Sequence, residues 1–169
     1  MRALVWIVED TWEATVAEAA AFLPPDAEVT LLHVAPDDVE QLAEGTRHGL
    51  LGRPRRPPGP PAAPEPLRAI SDEAAQALLV EARERLGREA STERRRGRVG
   101  HEVAAAADGM DLLVLARDGD RSRLGPKSLG PAVRFAVDHA PCRVLLVWAD
   151  APPAVDTIPP PPAHPPHHG

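Results

Sequence analysis

The chain has 169 residues, 43% of them hydrophobic, which is enough to bury one substantial core and short for two. Its formal net charge of -6 argues against general affinity for nucleic acid or an anionic membrane, both of which need clustered positive charge. With no tyrosine and only 3% aromatic residues it also offers almost no platform on which bases could stack.

The first apolar run, ALVWIV at 3 to 8, meets Glu9 and Asp10 at once. It is too short to span a membrane and lacks a signal-peptide cleavage pattern, so a buried strand in a cytoplasmic protein is expected. Asp10, with Glu13 three residues on, has the spacing of a capping box, and Trp12, Val16, Ala19 and Leu23 then recur at helical spacing until Pro24 and Pro25. EVTLLHV (28 to 34) reads as a second strand, being rich in β-branched and aliphatic residues.

Proline then dominates. RPRRPPGPPAAPEP lies within a loop expected at about 35–70, and Ser71 is the expected N-cap of a helix running to about residue 89 with Ala75, Leu78, Leu79, Ala82 and Leu86 on its apolar face. STERRR (91 to 96) has a poor strand composition, yet a short charged strand suits an exposed sheet edge. An alanine-rich helix at 99 to 108, a continuous apolar strand DLLVLA (111 to 116), a helix near 129 to 139 and a last strand CRVLLVW (142 to 148) follow. Alternating strands and helices predict an α/β fold with a parallel sheet, right-handed crossovers and helices on both faces. Residues 1–149 form the expected domain, and 150–169 a disordered tail rich in proline and histidine.

Sheets of this kind bind ligands beyond the carboxyl ends of their strands. The loops after strands one and four, at Glu9 to Thr11 and Ala116 to Gly130, are on that side. The second of these, LARDGDRSRLGPKSLGPAVRF, carries Arg117, Arg121, Arg123 and Lys127, which could neutralise part of a polyphosphate by charge-assisted hydrogen bonds. It is not a Walker A loop, because five residues separate Gly119 from Gly125 and Pro126 precedes the lysine.

Three passages together resemble the universal stress protein family: the opening strand with its acidic residues, EVTLLHVAP, and EVAAAADGMDLLVLA running through to LGPAVRFAVDHAPCRVLLV. The similarity covers roughly residues 3 to 148 outside the 35 to 70 region. It implies a five-stranded parallel sheet ordered 3-2-1-4-5, Rossmann-like and similar to the adenine nucleotide alpha hydrolases, in which the two loops named above are neighbours. Nucleotide-binding members carry G-x2-G-x9-G followed by Ser or Thr. Here Ala116 replaces the first glycine, Gly119 matches, ten residues separate it from Gly130, and Pro131 replaces the hydroxyl residue.

Carried onto this sequence, the resemblance implies an adenine-nucleotide pocket with ATP as its ligand and Mg²⁺ only alongside ATP. Glu9 or Asp10 would face the ribose or adenine, Val34 would offer backbone contact, and Ala116, Gly119, Lys127, Ser128 and Gly130 would surround the phosphates. The missing glycine and the missing donor at Pro131 weigh toward a degenerate, empty pocket. The resemblance further implies a stress-response regulatory or binding module that is not an enzyme. It also implies a homodimer formed through Cys142 to Trp148, in agreement with the hazard an uncovered apolar edge would pose. Two alternatives stay open: a slow nucleotide hydrolase or nucleotidyl-transfer enzyme with Asp118 or Asp120 near a metal, and a ligand-free interaction module using the proline-rich loop and tail.

Among other residues, Cys142 cannot pair within the chain and reads as a small buried hydrophobe. His33 is expected to make ordinary hydrogen bonds on its strand, His101 lacks a partner that would make it a general base, and His139 suits the end of a helix. The tail histidines 164, 167 and 168 lack the surrounding groups that would orient them around a metal.

Overall fold

The computed structural model describes residues 1–37, 65–158 and 160, with the backbone alone described at 65–70. Most of the proline-rich loop and the end of the tail lie outside the described residues, and with them the segments on which an interaction-module reading depends.

Five strands form one parallel sheet in the order β3-β2-β1-β4-β5, as the resemblance implied. They are β1 (Arg2–Trp6), β2 (Glu28–Pro36), β3 (Ser91–Gly97), β4 (Leu112–Ala116) and β5 (Arg143–Val147). Four helices connect them among the described residues: α1 (Trp12–Phe22), α2 (Glu65–Leu86), α3 (Val99–Ala106) and α4 (Pro131–His139). None of these helices is long and apolar enough to cross a membrane.

The central strand explains why its sequence is apolar without alternation. Ala3, Val5 and Ile7 face one side and pack with Val16 and Ala19 of α1 and Leu79, Ala82 and Leu86 of α2. Leu4 and Trp6 face the other side, against Val103 and Ala106 of α3 and Val133 and Ala136 of α4. Both faces are covered, so every position after the exposed Arg2 is apolar. β1 pairs with β2 in the register Arg2 with Glu28 and with β4 in the register Ala3 with Leu112.

Two local expectations need correction. α2 begins at Glu65, not at Ser71, which is exposed in the body of the helix. Pro66 sits in the first turn of α2, where its missing N–H costs nothing because first-turn donors have no partner inside the helix. The capping box at Asp10 does not form either. Thr11 is the N-cap of α1 without a side-chain capping bond, and the turn closes instead through Thr11 and Trp12 N–H groups donating to the Val8 carbonyl at 3.0 and 2.9 Å. After β5, Val155–Thr157 make a 3-10 turn and the Leu124 N–H donates to Thr157 Oγ1 at 3.0 Å.

β3 is an edge strand, and its alternation of exposed and half-buried residues shows why charged side chains serve there. Arg96 pairs with Asp72 at 2.8 Å and Arg95 with Glu93 at 2.6 Å, so the edge presents charge rather than apolar surface to other chains.

Candidate functional site

Strand order places the exits of β1 and β4 side by side at the middle of the sheet, where strand direction of winding reverses. Beside the β1 exit lies a recess of about 190 Å³ lined by Glu9, Asp10, Thr11, Trp12, Glu13, Ala14 and Ala149. Pockets that enclose a whole drug-sized ligand run to roughly 300–1,000 Å³, so this recess falls below that range.

Glu9 and Asp10 are exposed at this mouth. Glu9 is anchored by His33, whose Nε2 lies 3.1 Å from its Oε1, and this hydrogen bond holds the Glu9 carboxyl below the ordinary glutamate range despite opposing burial. His33 itself is buried, and its Nδ1 has no hydrogen-bond partner among the described residues. Val34, the next residue on β2, is buried with its side chain in the core on the α3 and α4 side.

The loop after β4 is held by its own atoms. The Gly119 N–H donates to the Ser128 carbonyl at 3.0 Å and the Asp120 N–H to the Lys127 carbonyl at 2.8 Å, which folds the loop into a closed hairpin. A methyl group on Gly119 would stand 2.4 Å from the Lys127 carbonyl oxygen, so glycine is required by this close approach of backbone to backbone. Ser128 is fully buried. Its hydroxyl donates to the Gly125 carbonyl at 2.7 Å and accepts from Arg117.

At the start of α4, the Gly130 N–H donates to Asp118 Oδ1 at 2.6 Å, and both carboxylate oxygens lie within 2.8 Å of where a side chain on Gly130 would begin. The loop cations are similarly engaged. Arg117 lies under the Trp148 ring at 4.5 Å, Arg121 pairs with Asp150 at 3.3 Å, and Arg123 pairs with Asp120 at 2.9 Å. Asp120 also accepts from the Ser122 hydroxyl and N–H, and these bonds hold its carboxyl below its usual range. Lys127 is exposed and has no side-chain partner among the described residues.

The sequence-derived residues therefore gather at one end of the sheet, with Glu9 and Asp10 at the recess, Ala116 ending β4, and Gly119, Lys127, Ser128 and Gly130 in the adjoining loop. Sequence reasoning missed Asp118, Trp148 and Asp150 as organisers of that loop. Only Asp118 carried a signal, since a carboxylate before a glycine-rich turn can serve a helix N-terminus folded back on it. Among the described residues no group of three or more His, Cys, Asp and Glu side chains could hold a metal ion.

Away from this end, His139 Nδ1 lies 2.9 Å from the Phe135 carbonyl, and the Phe135 ring stacks on His139 at a centroid distance of 3.9 Å and meets His101 in a tilted contact at 4.0 Å. Cys142 is partly buried against the core, and burial pushes its thiol pKa up, as befits an inert thiol.

No family model matches the chain, and no curated protein does. Solved structures do. Universal stress protein UspA from Lactobacillus plantarum superimposes with a TM-score of 0.56 at 20% identity, over 87% of this chain and 97% of that one. A universal stress protein in complex with cAMP gives 0.60 at 16% identity, over 89% and 98%. A universal stress protein family protein from Arabidopsis thaliana with AMP bound gives 0.56 at 15% identity, over 89% and 93%. The chain has the fold of these universal stress proteins.

Proposed function

We propose that the protein is a regulatory domain of the universal-stress type, not an enzyme, which binds an adenine-containing ligand where the β1 and β4 loops meet. The observation that carries this reading is the meeting of those two exits at the centre of a 3-2-1-4-5 sheet, beside a recess lined by Glu9 to Ala14 and Ala149. Proteins of the same fold have cAMP or AMP bound, which supports an adenine ligand here. In this reading Glu9 and Asp10 take the ribose or base, Val34 contributes backbone, and Ala116, Gly119, Lys127, Ser128 and Gly130 form an altered phosphate side. Its compartment is the cytoplasm, where the lone Cys142 stays reduced.

The rival hydrolase reading needs Asp118 or Asp120 on a metal. Both carboxylates already accept hydrogen bonds from their own loop, which favours the regulatory reading. A test follows directly: denature purified protein, identify any released small molecule by mass spectrometry, then titrate adenosine, AMP, cAMP and ATP with and without Mg²⁺. Saturable binding of an adenine ligand without phosphate release is the expected result. Phosphate released over time would establish the hydrolase instead, and no binding at all would leave an empty fold.

Association through β5 is a second element of the proposal. Val144, Leu145 and Leu146 on this edge strand are only half-buried, unlike the fully buried β4 beside it.

A further inference from the structure

We propose that Asp118 is an internal anion that stands in for a ligand phosphate at the start of α4, and so restricts the recess to adenine-containing ligands without a polyphosphate tail. This rests on the adenine-ligand reading above and deepens it by naming the ligand class.

A helix N-terminus attracts an anion through N–H groups that have no partner within the helix. At α4 the Gly130 N–H is taken by Asp118 Oδ1 at 2.6 Å, and the next residue, Pro131, has no N–H to offer. The carboxylate lies against the face of Gly130, with its oxygens 2.7 and 2.8 Å from the position a Cβ would occupy. It fills the space through which a phosphate oxygen would approach.

Several other donors on the loop are spent in the same way. Gly119 and Asp120 give their N–H groups to the Ser128 and Lys127 carbonyls, while Arg121 and Arg123 are paired with Asp150 and Asp120. Arg117 donates to Ser128 through one terminal nitrogen and lies under the Trp148 ring, while its Nε is buried away from solvent with no partner among the described residues. A triphosphate would have to displace Asp118, break several of these bonds and settle beside fixed negative charge. A nucleoside meets no such opposition, and Lys127 alone among the loop cations is without a partner in the described residues, enough for one phosphate at most.

Asp118→Asn tests the charge, because its side-chain oxygen still accepts from the Gly130 N–H. Asp118→Ala tests occupancy by vacating the position. Calorimetric titration of the full chain and both variants with adenosine, AMP and ATP is the measurement, with thermal unfolding as the check that each variant is folded. Wild-type protein should bind adenosine at least as tightly as ATP. Both variants should bind ATP about tenfold or more tighter than wild type, with adenosine affinity unchanged, a gain equivalent to about 1.4 kcal/mol. The inference is overturned if adenosine binds all three proteins while ATP affinity is the same in each, or if wild type already prefers ATP. Failure of every adenine ligand to bind any of the three would remove the pocket reading itself, and this inference with it.

Discussion

At the scale of single residues, glycine in the β4 loop serves contact between backbones. Adding a methyl group at Gly119 would place it 2.4 Å from the Lys127 carbonyl oxygen and 2.8 Å from the Ser128 carbonyl carbon, neither of which belongs to a movable side chain. Gly119→Ala should therefore lower stability by about 1–3 kcal/mol, the range for overpacking, and the shift in the urea midpoint measures it. Glu9 gives a prediction about pH. Its folded carboxyl titrates below the unfolded value of about 4.3 because His33 hydrogen-bonds it, so its contribution to stability is present above that value and is lost as pH falls through the folded pKa. Glu9→Gln should flatten the acid limb of a stability-against-pH curve below about pH 4.3 and leave the neutral plateau's slope unchanged. An unchanged acid limb would show that the His33 contact is not formed in solution.

At the scale of elements, the sequence exposed the strands and concealed their ends. The runs at β1 and β4 were readable because both faces of those strands are covered, which leaves no polar position to interrupt them. β3 was readable for the opposite reason, since a strand made of Ser, Thr, Glu and Arg fits only an edge. The start of α2 was hidden by a rule that treats proline as a stop, whereas Pro66 falls in the first helical turn. The α1-to-β2 connection depends on a distant residue that no local pattern announces. Arg88 donates to the carbonyls of Pro24 at 2.7 Å and Ala27 at 3.3 Å, and also to that of Pro25, satisfying a turn whose own prolines cannot donate. Arg88→Ala should cost about 1–2 kcal/mol, the low end for charged hydrogen bonds because the site is partly open to water. Arg88→Lys should recover less than the whole of this, since an ammonium cannot span the same carbonyls with a planar fork, and paired urea melts give both values.

At the scale of the whole molecule, the candidate site was legible in its location but not in its chemistry. Location follows from topology, which the alternation of elements and the family resemblance supplied together. Chemistry follows from which donors remain unspent, and that depends on Asp118 turning back within the loop onto Gly130 and on Trp148 and Asp150 meeting it from positions that sequence spacing does not connect. Topology also leaves the sheet with unlike edges. β3 closes one side with paired charges, while β5 carries Val144 and Leu146 toward the α3 and α4 face and Leu145 toward the α1 face, each only half-buried. An edge with apolar side chains on both faces and an open row of backbone donors and acceptors is stable in water when a second chain covers it. A twofold arrangement does this with one surface, because each copy of β5 covers the other. Sedimentation velocity at micromolar concentration should therefore give a dimer, and Leu146→Glu should give a monomer with an unchanged circular dichroism spectrum, because a half-exposed position can turn a charge to water in the single chain but not in the pair. A wild-type monomer, or a Leu146→Glu protein that still sediments as a dimer, would place the contact elsewhere or remove it.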